Sequence, residues 1–336
     1  MKTYFKNFLA LFAVTTLFML YSCKSEDNQP DLNPADQIEK KHDTALLLVT
    51  FGSTYDMPKD TYKKQQEAFK KAFPNTDLFV SYTSRTIINR MQARNETFLP
   101  PQVWFKSFLK KQYKNVYVQS LHVIPGEEFT LLRDAYVNKE YNVYIEDLDN
   151  GQNPAILGGP LLSKDESVKK VAKILVDAFA EPLKKGEVVA FMGHGNPKDD
   201  YSRANDKYDL VEKEMQEYAR KTFGMGHDKV FVATVDYEGK LFNDYLANAV
   251  ENSGAKEKVI HLHPLMTIAG DHASNDMAGT DTEEDGQTIP MDKRSWKLQL
   301  ENMGWEVHTY MKGLGDYDQI NQIYISHLKS AIKEAE

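Results

Sequence analysis

Val188-Val189-Ala190-Phe191-Met192-Gly193-His194-Gly195-Asn196-Pro197 is an apolar run that ends abruptly in glycine, histidine, glycine and proline. An apolar run of this length followed by Gly reads as a buried parallel strand that stops in a loop. A second stretch has the same plan. Val259-Ile260-His261-Leu262-His263-Pro264-Leu265-Met266 leads into Ala269-Gly270-Asp271-His272-Ala273. In open α/β sheets, ligands bind outside the carboxyl ends of the strands. Two strands that each deliver a histidine to that end point to a metal site rather than to a pair of core histidines.

Working outward, strand and helix patterns alternate along the whole body. Residues 45–51 (Ala-Leu-Leu-Leu-Val-Thr-Phe) form a continuous apolar strand turned by Gly52-Ser53-Thr54. Further strands are expected at 78–82, 116–121 and 155–157, with helices at 58–73, 85–94, 103–113 and 129–137. The pattern then restarts. Residues 163–179 read as an amphipathic helix opened by a Ser163/Glu166 capping box. Strands follow at 188–192, 230–235, 259–263 and 305–310, with helices at 200–222 and 241–250 and a last helix at 319–333. Alternation twice over implies an α/β protein with two parallel sheets, helices on both faces and a cleft between the two sets of strand ends. The acidic, Gly-containing stretch 280–293 reads as an exposed loop.

The first residues have a different character. Lys2 and Lys6 precede an apolar segment, 8–20, that is short for a permanent membrane span. Leu20-Tyr21-Ser22-Cys23 follows, a pattern similar to a bacterial lipobox, in which the cysteine is lipidated after cleavage. Residues 1–22 are therefore expected to be a lipoprotein signal peptide and 23–43 a disordered polar tether. The expected domains are 44–164 and 165–336, with the C-terminal helix free to pack on the first. The expected address is extracytoplasmic, in the periplasm or outer membrane, anchored by lipid at Cys23.

Cys23 is the only cysteine, so no internal disulfide can form and any metal site is built without thiolates. Formal net charge is −8, and loss of Lys2 and Lys6 on processing lowers it to −10. Such a surface argues against nucleic acid or anionic lipid as the main partner. A homo-oligomer is compatible with the sequence.

Four blocks resemble the anaerobic sirohydrochlorin cobalt chelatases of the CbiK family. They are Leu48-Val49-Thr50-Phe51-Gly52-Ser53, then Gln119-Ser120-Leu121-His122-Val123-Ile124-Pro125-Gly126-Glu127-Glu128, then Phe191-Met192-Gly193-His194-Gly195, and finally residues 264–278 with Ser295-Trp296-Lys297 after them. The last block is the most distinctive. The resemblance implies two similar flavodoxin-like (Rossmann-type) domains with a tetrapyrrole held between them. It implies His194 and His272 as metal-holding residues, with Glu128 as a carboxylate in the same site. A further family carboxylate falls on Thr234-Val235-Asp236-Tyr237-Glu238, where Asp236 aligns directly and Glu238 is the fallback. The family's short acidic segment is longer here, through 280–294.

Metal insertion needs a partly dehydrated cation, an open coordination face and acceptors for two pyrrole protons. Neutral imidazole suits Co²⁺, the leading expectation, and also Fe²⁺ or Ni²⁺. Imidazole and carboxylate also accept protons near working pH, which makes His194 and Glu128 the catalytic candidates. No organic cofactor is expected. The substrate's rim carboxylates would meet Ser53, Thr54, Arg85 and the Gly158-Gly159 turn, with Arg90 and Lys198 as further basic candidates. Two other functions share these residues: a tetrapyrrole- or metal-binding lipoprotein for scavenging and import, and an enzyme that strips metal from a scavenged tetrapyrrole. The remaining histidines have plainer readings. His122 reads as a satisfied core residue, His261 and His263 as a strand pair without a metal role, and His42, His227, His308 and His327 as surface residues.

Overall fold

The computed structural model describes residues 33–148, 151–196, 198–280 and 288–336. The signal segment, Cys23 and the start of the tether lie outside the described residues, as does 281–287. Among the described residues, eight strands form two parallel four-stranded sheets. The first holds β1 (Thr44–Thr50), β2 (Asp77–Tyr82), β3 (Asn115–Ser120) and β4 (Ile156–Gly158), in the order β2-β1-β3-β4. The second holds β5 (Val188–Gly193), β6 (Val230–Thr234), β7 (Val259–Pro264) and β8 (Glu306–Thr309), in the order β6-β5-β7-β8. The same order twice, with helices on the faces, is the flavodoxin-like plan.

The apolar runs are continuous because both faces of each central strand are covered. Leu46 and Leu48 enter one cluster, while Leu47 and Val49 enter another with Phe79, Phe108 and Tyr141. In β5 the same alternation sends Val189 and Phe191 one way, and Val188, Ala190 and Met192 the other. The cluster that takes Leu46 and Leu48 also takes Val189 and Phe191, so one core joins the two sheets. The helices Asp165–Ala178 and Asp318–Ala335 fill it. Asp318–Ala335 packs on β3, β4 and the Met57–Ala72 helix, and so covers a face of the first sheet.

Several local expectations are corrected. Residues 33–43, expected as disordered tether, are packed onto the first domain. Pro34–Gln37 is a 3₁₀ turn whose Ala35 is buried, and Asn33 Nδ2 donates to Val103 O at 3.0 Å. Only one small apolar residue is buried there, too weak a signal to stand out from a polar segment. The Ser163/Glu166 capping box does not form. The helix begins at Asp165 without a side-chain cap, and Ser163 is drawn into the preceding turn by its N–H to Pro160 O at 3.2 Å. The Gly158-Gly159 turn is closed to carboxylates. Gly158 lies against Leu328, and Gly159 O accepts from His327 Nδ1 at 3.1 Å. His327 is accordingly buried rather than at the surface, with Nε2 accepting from Ser167 Oγ at 2.6 Å.

His261 and His263 are satisfied inside the second domain. His261 bonds Glu187 Oε2 at 2.7 Å and Tyr310 OH at 3.0 Å. His263 donates from Nδ1 to Pro264 O and accepts from Tyr317 OH at 3.0 Å. Complete burial pushes the His263 imidazole down to about 4. The unfolded chain therefore takes up a proton near pH 6.5 that the folded chain refuses until about pH 4. Stability is full above pH 6.5 and falls between those values, by up to about 3 kcal/mol. Thermal melts from pH 7 to 4 are expected to show that slope, and His263→Gln to lessen it, because the imidazole of His122 is lowered to about 4 by burial as well and keeps its own share.

Candidate active site

The strand-end loops of both sheets converge on a cavity of about 540 Å³. The first sheet supplies Phe51, Gly52, Ser53 and Thr54 after β1, and the 121–129 loop after β3. The second supplies His194 to Asn196 after β5, Asp236 after β6, and Gly270 to His272 beyond β7. The walls touch across the cleft. Asn196 Oδ1 accepts the Glu127 N–H at 2.9 Å, and Asn275 Nδ2 donates to Tyr55 OH at 3.2 Å.

The two glycines around His194 have separate structural reasons. A Cβ on Gly193 would lie 2.4 Å from the Tyr208 ring. Gly195 has φ +88°, and a Cβ there would lie 2.6 Å from Tyr237 N. The loop after β6 thus runs against the Gly195 backbone, and Asp236 N–H donates to His194 O at 2.9 Å. Gly195→Ala combines a left-handed backbone with a clash against main chain. It is expected to destabilise the fold by roughly 1–3 kcal/mol and to displace Asp236, a loss visible in thermal denaturation.

His194 Nδ1 lies 2.8 Å from Gly195 O. A carbonyl can only accept, so Nδ1 carries the hydrogen, and in the neutral ring Nε2 keeps its lone pair. His272 Nδ1 meets Asp276 Oδ2 at 2.7 Å, which orients the second ring in the same sense. That hydrogen bond raises the His272 imidazole above its usual range, against the opposing effect of burial, and the carboxylates of Asp236 and Asp271 add to it. The rings meet edge to face with centroids 4.7 Å apart. Asp236 Oδ2 lies 3.7 Å from His194 Nδ1. Among the described residues, no three or more His, Cys, Asp or Glu side chains are already assembled as a metal cage.

Glu128 stands on the opposite wall, at the start of the helix Glu127–Leu131. Its Oε2 is buried without a hydrogen-bond partner. Burial raises its carboxyl above the usual range, and the Glu127 charge adds to this. The nearby Thr83 hydroxyl and His194 pull the other way, the hydroxyl without closing a hydrogen bond.

Ser53 and Thr54 line the cavity, as expected of the turn after β1. Ser53 Oγ is 3.4 Å from the position of a Cβ on Gly270, so the loops of the two sheets abut there. Arg85 does not line the cavity; Arg90, one helical turn further along, does. The helix Arg85–Gln92 is capped by Ser84, which puts Arg85 on its outer side. Of the two carboxylate candidates after β6, Asp236 lines the cavity and Glu238 does not. Sequence reasoning passed over Phe51, which is 40% exposed with its ring 6.3 Å from that of His194. It also misplaced His122, which lines the cavity and is not a satisfied core residue. The length of the apolar run 121–124 hid both its position and its unpartnered nitrogen.

Comparison with known proteins agrees with this geometry. The cobalt chelatase (CbiK) family model matches residues 44–333. Sirohydrochlorin cobaltochelatase CbiKC of Nitratidesulfovibrio vulgaris is 28% identical over 289 residues, covering 85% of this chain and 90% of the relative. The sirohydrochlorin cobaltochelatase of Salmonella typhimurium is 27% identical over 297 residues, covering 87% and 97%. Among solved structures, SirB from Bacillus subtilis with Fe³⁺ superimposes with a TM-score of 0.53 at 14% identity, covering 87% of this chain and 98% of that one, which is a likeness of fold. With two sheets of one topology, paired histidines on the loops of the second that face the first, and a family match across nearly the whole body, the chain belongs to the cobalt chelatase (CbiK) family.

Proposed function

We propose that this protein inserts a divalent metal, Co²⁺ first, into sirohydrochlorin or a related tetrapyrrole held in the cleft. One observation carries the reading. Two imidazoles, each with Nδ1 engaged and Nε2 without a hydrogen-bond partner among the described residues, meet with ring centroids 4.7 Å apart across from an unpartnered, half-buried carboxyl. Two nitrogen donors hold a cation while leaving coordination positions for ring nitrogens. A closed cage would retain the metal; this site is built to release it.

In this reading His194 and His272 hold the metal through Nε2, with Asp236 as the adjoining carboxylate. The acidic groups Glu127, Glu128, Asp236 and Asp271 in the lining draw the cation in. As pyrrole nitrogens replace solvent on the metal, their N–H protons become acidic. Glu128, held above the ordinary carboxylate range, is a stronger base than a solvated glutamate once ionised. Arg90 takes the place first given to Arg85, with Ser53 and Thr54 as hydroxyl partners for the substrate's carboxylates. The relatives named as sirohydrochlorin cobaltochelatases support the choice of ring and metal. The lipobox-like Leu20-Tyr21-Ser22-Cys23 supports action outside the cytoplasm on a lipid anchor at Cys23.

That address also favours a second reading, in which the same site captures a scavenged tetrapyrrole or strips metal from it. Absorbance of sirohydrochlorin mixed with Co²⁺ or Fe²⁺ and the full-length protein separates them. Insertion faster than the uncatalysed reaction, with turnover beyond one equivalent, is expected. Tight binding without turnover would replace it with capture, and release of metal from cobalt-sirohydrochlorin with no forward rate would replace it with stripping.

A further inference from the structure

The loop after β5 carries one more polar side chain into the cavity, two residues beyond His194. The Asn196 amide has a partner on each side. Nδ2 donates to Gly195 O at 2.7 Å, and Oδ1 accepts the Glu127 N–H of the opposite wall at 2.9 Å. One contact needs a donor and the other an acceptor, so the orientation of the amide is fixed. Gly195 O also accepts from His194 Nδ1 at 2.8 Å, and a carbonyl has two lone pairs for the two donors. A hydrogen-bonded line thus runs from the His194 ring, through one carbonyl and one amide, to the residue before Glu128.

Both walls are built for this crossing. A helix begins with N–H groups that have no partner inside it, and Ser, Thr, Asp or Asn at its own N-cap commonly supplies one. The helix Glu127–Leu131 starts at Gly126, which has no side chain to do so. Asn196 of the other sheet takes that part. A Cβ on Gly126 would lie 1.8 Å from Asn196 Oδ1, and its three nearest neighbours would all be atoms of the Asn196 side chain. Gly126 has φ −86°, open to any residue, so glycine is needed there for room and not for backbone freedom. On the other wall, the main chain of the loop is held without help from the Asn196 side chain. Buried Asn205 accepts the Asn196 N–H at 3.0 Å and donates to Asn196 O at 2.8 Å, and Tyr208 OH accepts the Gly195 N–H at 3.2 Å. The bond to Glu127 therefore acts between the walls rather than within the loop.

Resting on the chelatase reading, we propose that Asn196 is a positioning residue that sets the spacing between the metal-holding His194 of the second sheet and Glu128 of the first. In that reading the metal comes from one wall and the displaced pyrrole protons leave toward the other. The macrocycle between them reacts only when both walls stand at the right separation. A misplacement of about 1 Å can cost on the order of 100-fold in rate. Asn196 itself touches neither the metal nor the moving protons.

The test is a double-mutant cycle in the full-length protein, read as turnover and affinity separately. Asn196→Ala is expected to lower kcat about 10- to 100-fold, the usual loss for an outer partner of a metal site. Co²⁺ affinity and KM for sirohydrochlorin are expected to stay within about threefold of the parent, because both metal-holding rings keep their own partners. Gly126→Ala, whose new methyl group meets the Asn196 side chain, is expected to be slow as well. Added to Asn196→Ala it is expected to cost no more than about twofold further, because the atoms it strikes are gone. Parental kcat in Asn196→Ala would overturn the proposal. So would a parallel loss of Co²⁺ affinity, which would make Asn196 a support of the metal-holding ring alone, or losses that multiply in the double variant. Parent protein assayed in parallel separates the two claims, because absence of insertion there refutes the chelatase reading and this role with it.

Discussion

Replacing His194 by alanine is expected to reduce metal insertion to the uncatalysed level while leaving the protein folded. The ring sits in the cavity wall, with its one protein hydrogen bond to the neighbouring Gly195 carbonyl. Its removal deletes one of two free Nε2 donors without opening the core. Thermal stability should change by no more than about 0.5 kcal/mol, the usual range for a site away from packing and buried networks. His272→Ala is expected to behave alike, because the two rings contribute equivalent donors. Asp276, which orients His272 from 2.7 Å, provides the graded comparison. Loss of such an outer partner typically costs 10- to 100-fold, so Asp276→Ala should retain a measurable rate where His272→Ala does not. Initial rates from absorbance, with Co²⁺ affinity measured separately, check the order.

The second large effect belongs to Glu128. Glu128→Gln keeps the side-chain shape and removes the ionisable oxygen that lies buried and unpaired. The turnover rate is expected to fall about 100-fold, with Co²⁺ affinity nearly unchanged, because in the proposed role the carboxyl takes protons rather than holding the metal. The pH profile supplies the sign. A base acts only when ionised, so the parent rate rises with pH as Glu128 loses its proton. Burial has moved that loss above the ordinary carboxylate range, so the acid limb should lie higher than for a solvated glutamate. The limb should vanish in the glutamine variant. A variant that loses Co²⁺ affinity in step with rate would place Glu128 among the metal-holding residues instead.

Much of this molecule is legible in its sequence because its sheets are buried on both faces. Continuous apolar runs such as 45–50 and 188–192 can be read as strands without any partner, and the glycines after them mark where the candidate site sits. Gly193 and Gly195 are informative because each meets a specific neighbour, the Tyr208 ring and the Tyr237 backbone. What stayed hidden depends on contacts distant in the chain. Arg85 and Arg90 are equivalent by composition, and only the helix phase puts Arg90 at the cavity. Asp236 and Glu238 are separated by the path of the loop after β6, which hydrogen-bonds to His194 O. The Ser163/Glu166 pair had the right spacing for a cap, but a turn at Pro160 claimed Ser163 first. The π-helical stretches Leu132–Asn142, Phe242–Leu246 and Ala273–Met277 left no periodic signature of their own, and the last of them directly follows His272.

In the proposed site one metal is held between loops of the second sheet by the free nitrogens of His194 and His272. Anomalous X-ray scattering at the cobalt edge, from crystals of the protein grown with Co²⁺, tests it directly. One principal peak is expected about 2.1 Å from Nε2 of both His194 and His272, the distance usual for imidazole on a divalent metal. A principal peak elsewhere, with none between His194 and His272, would overturn this site.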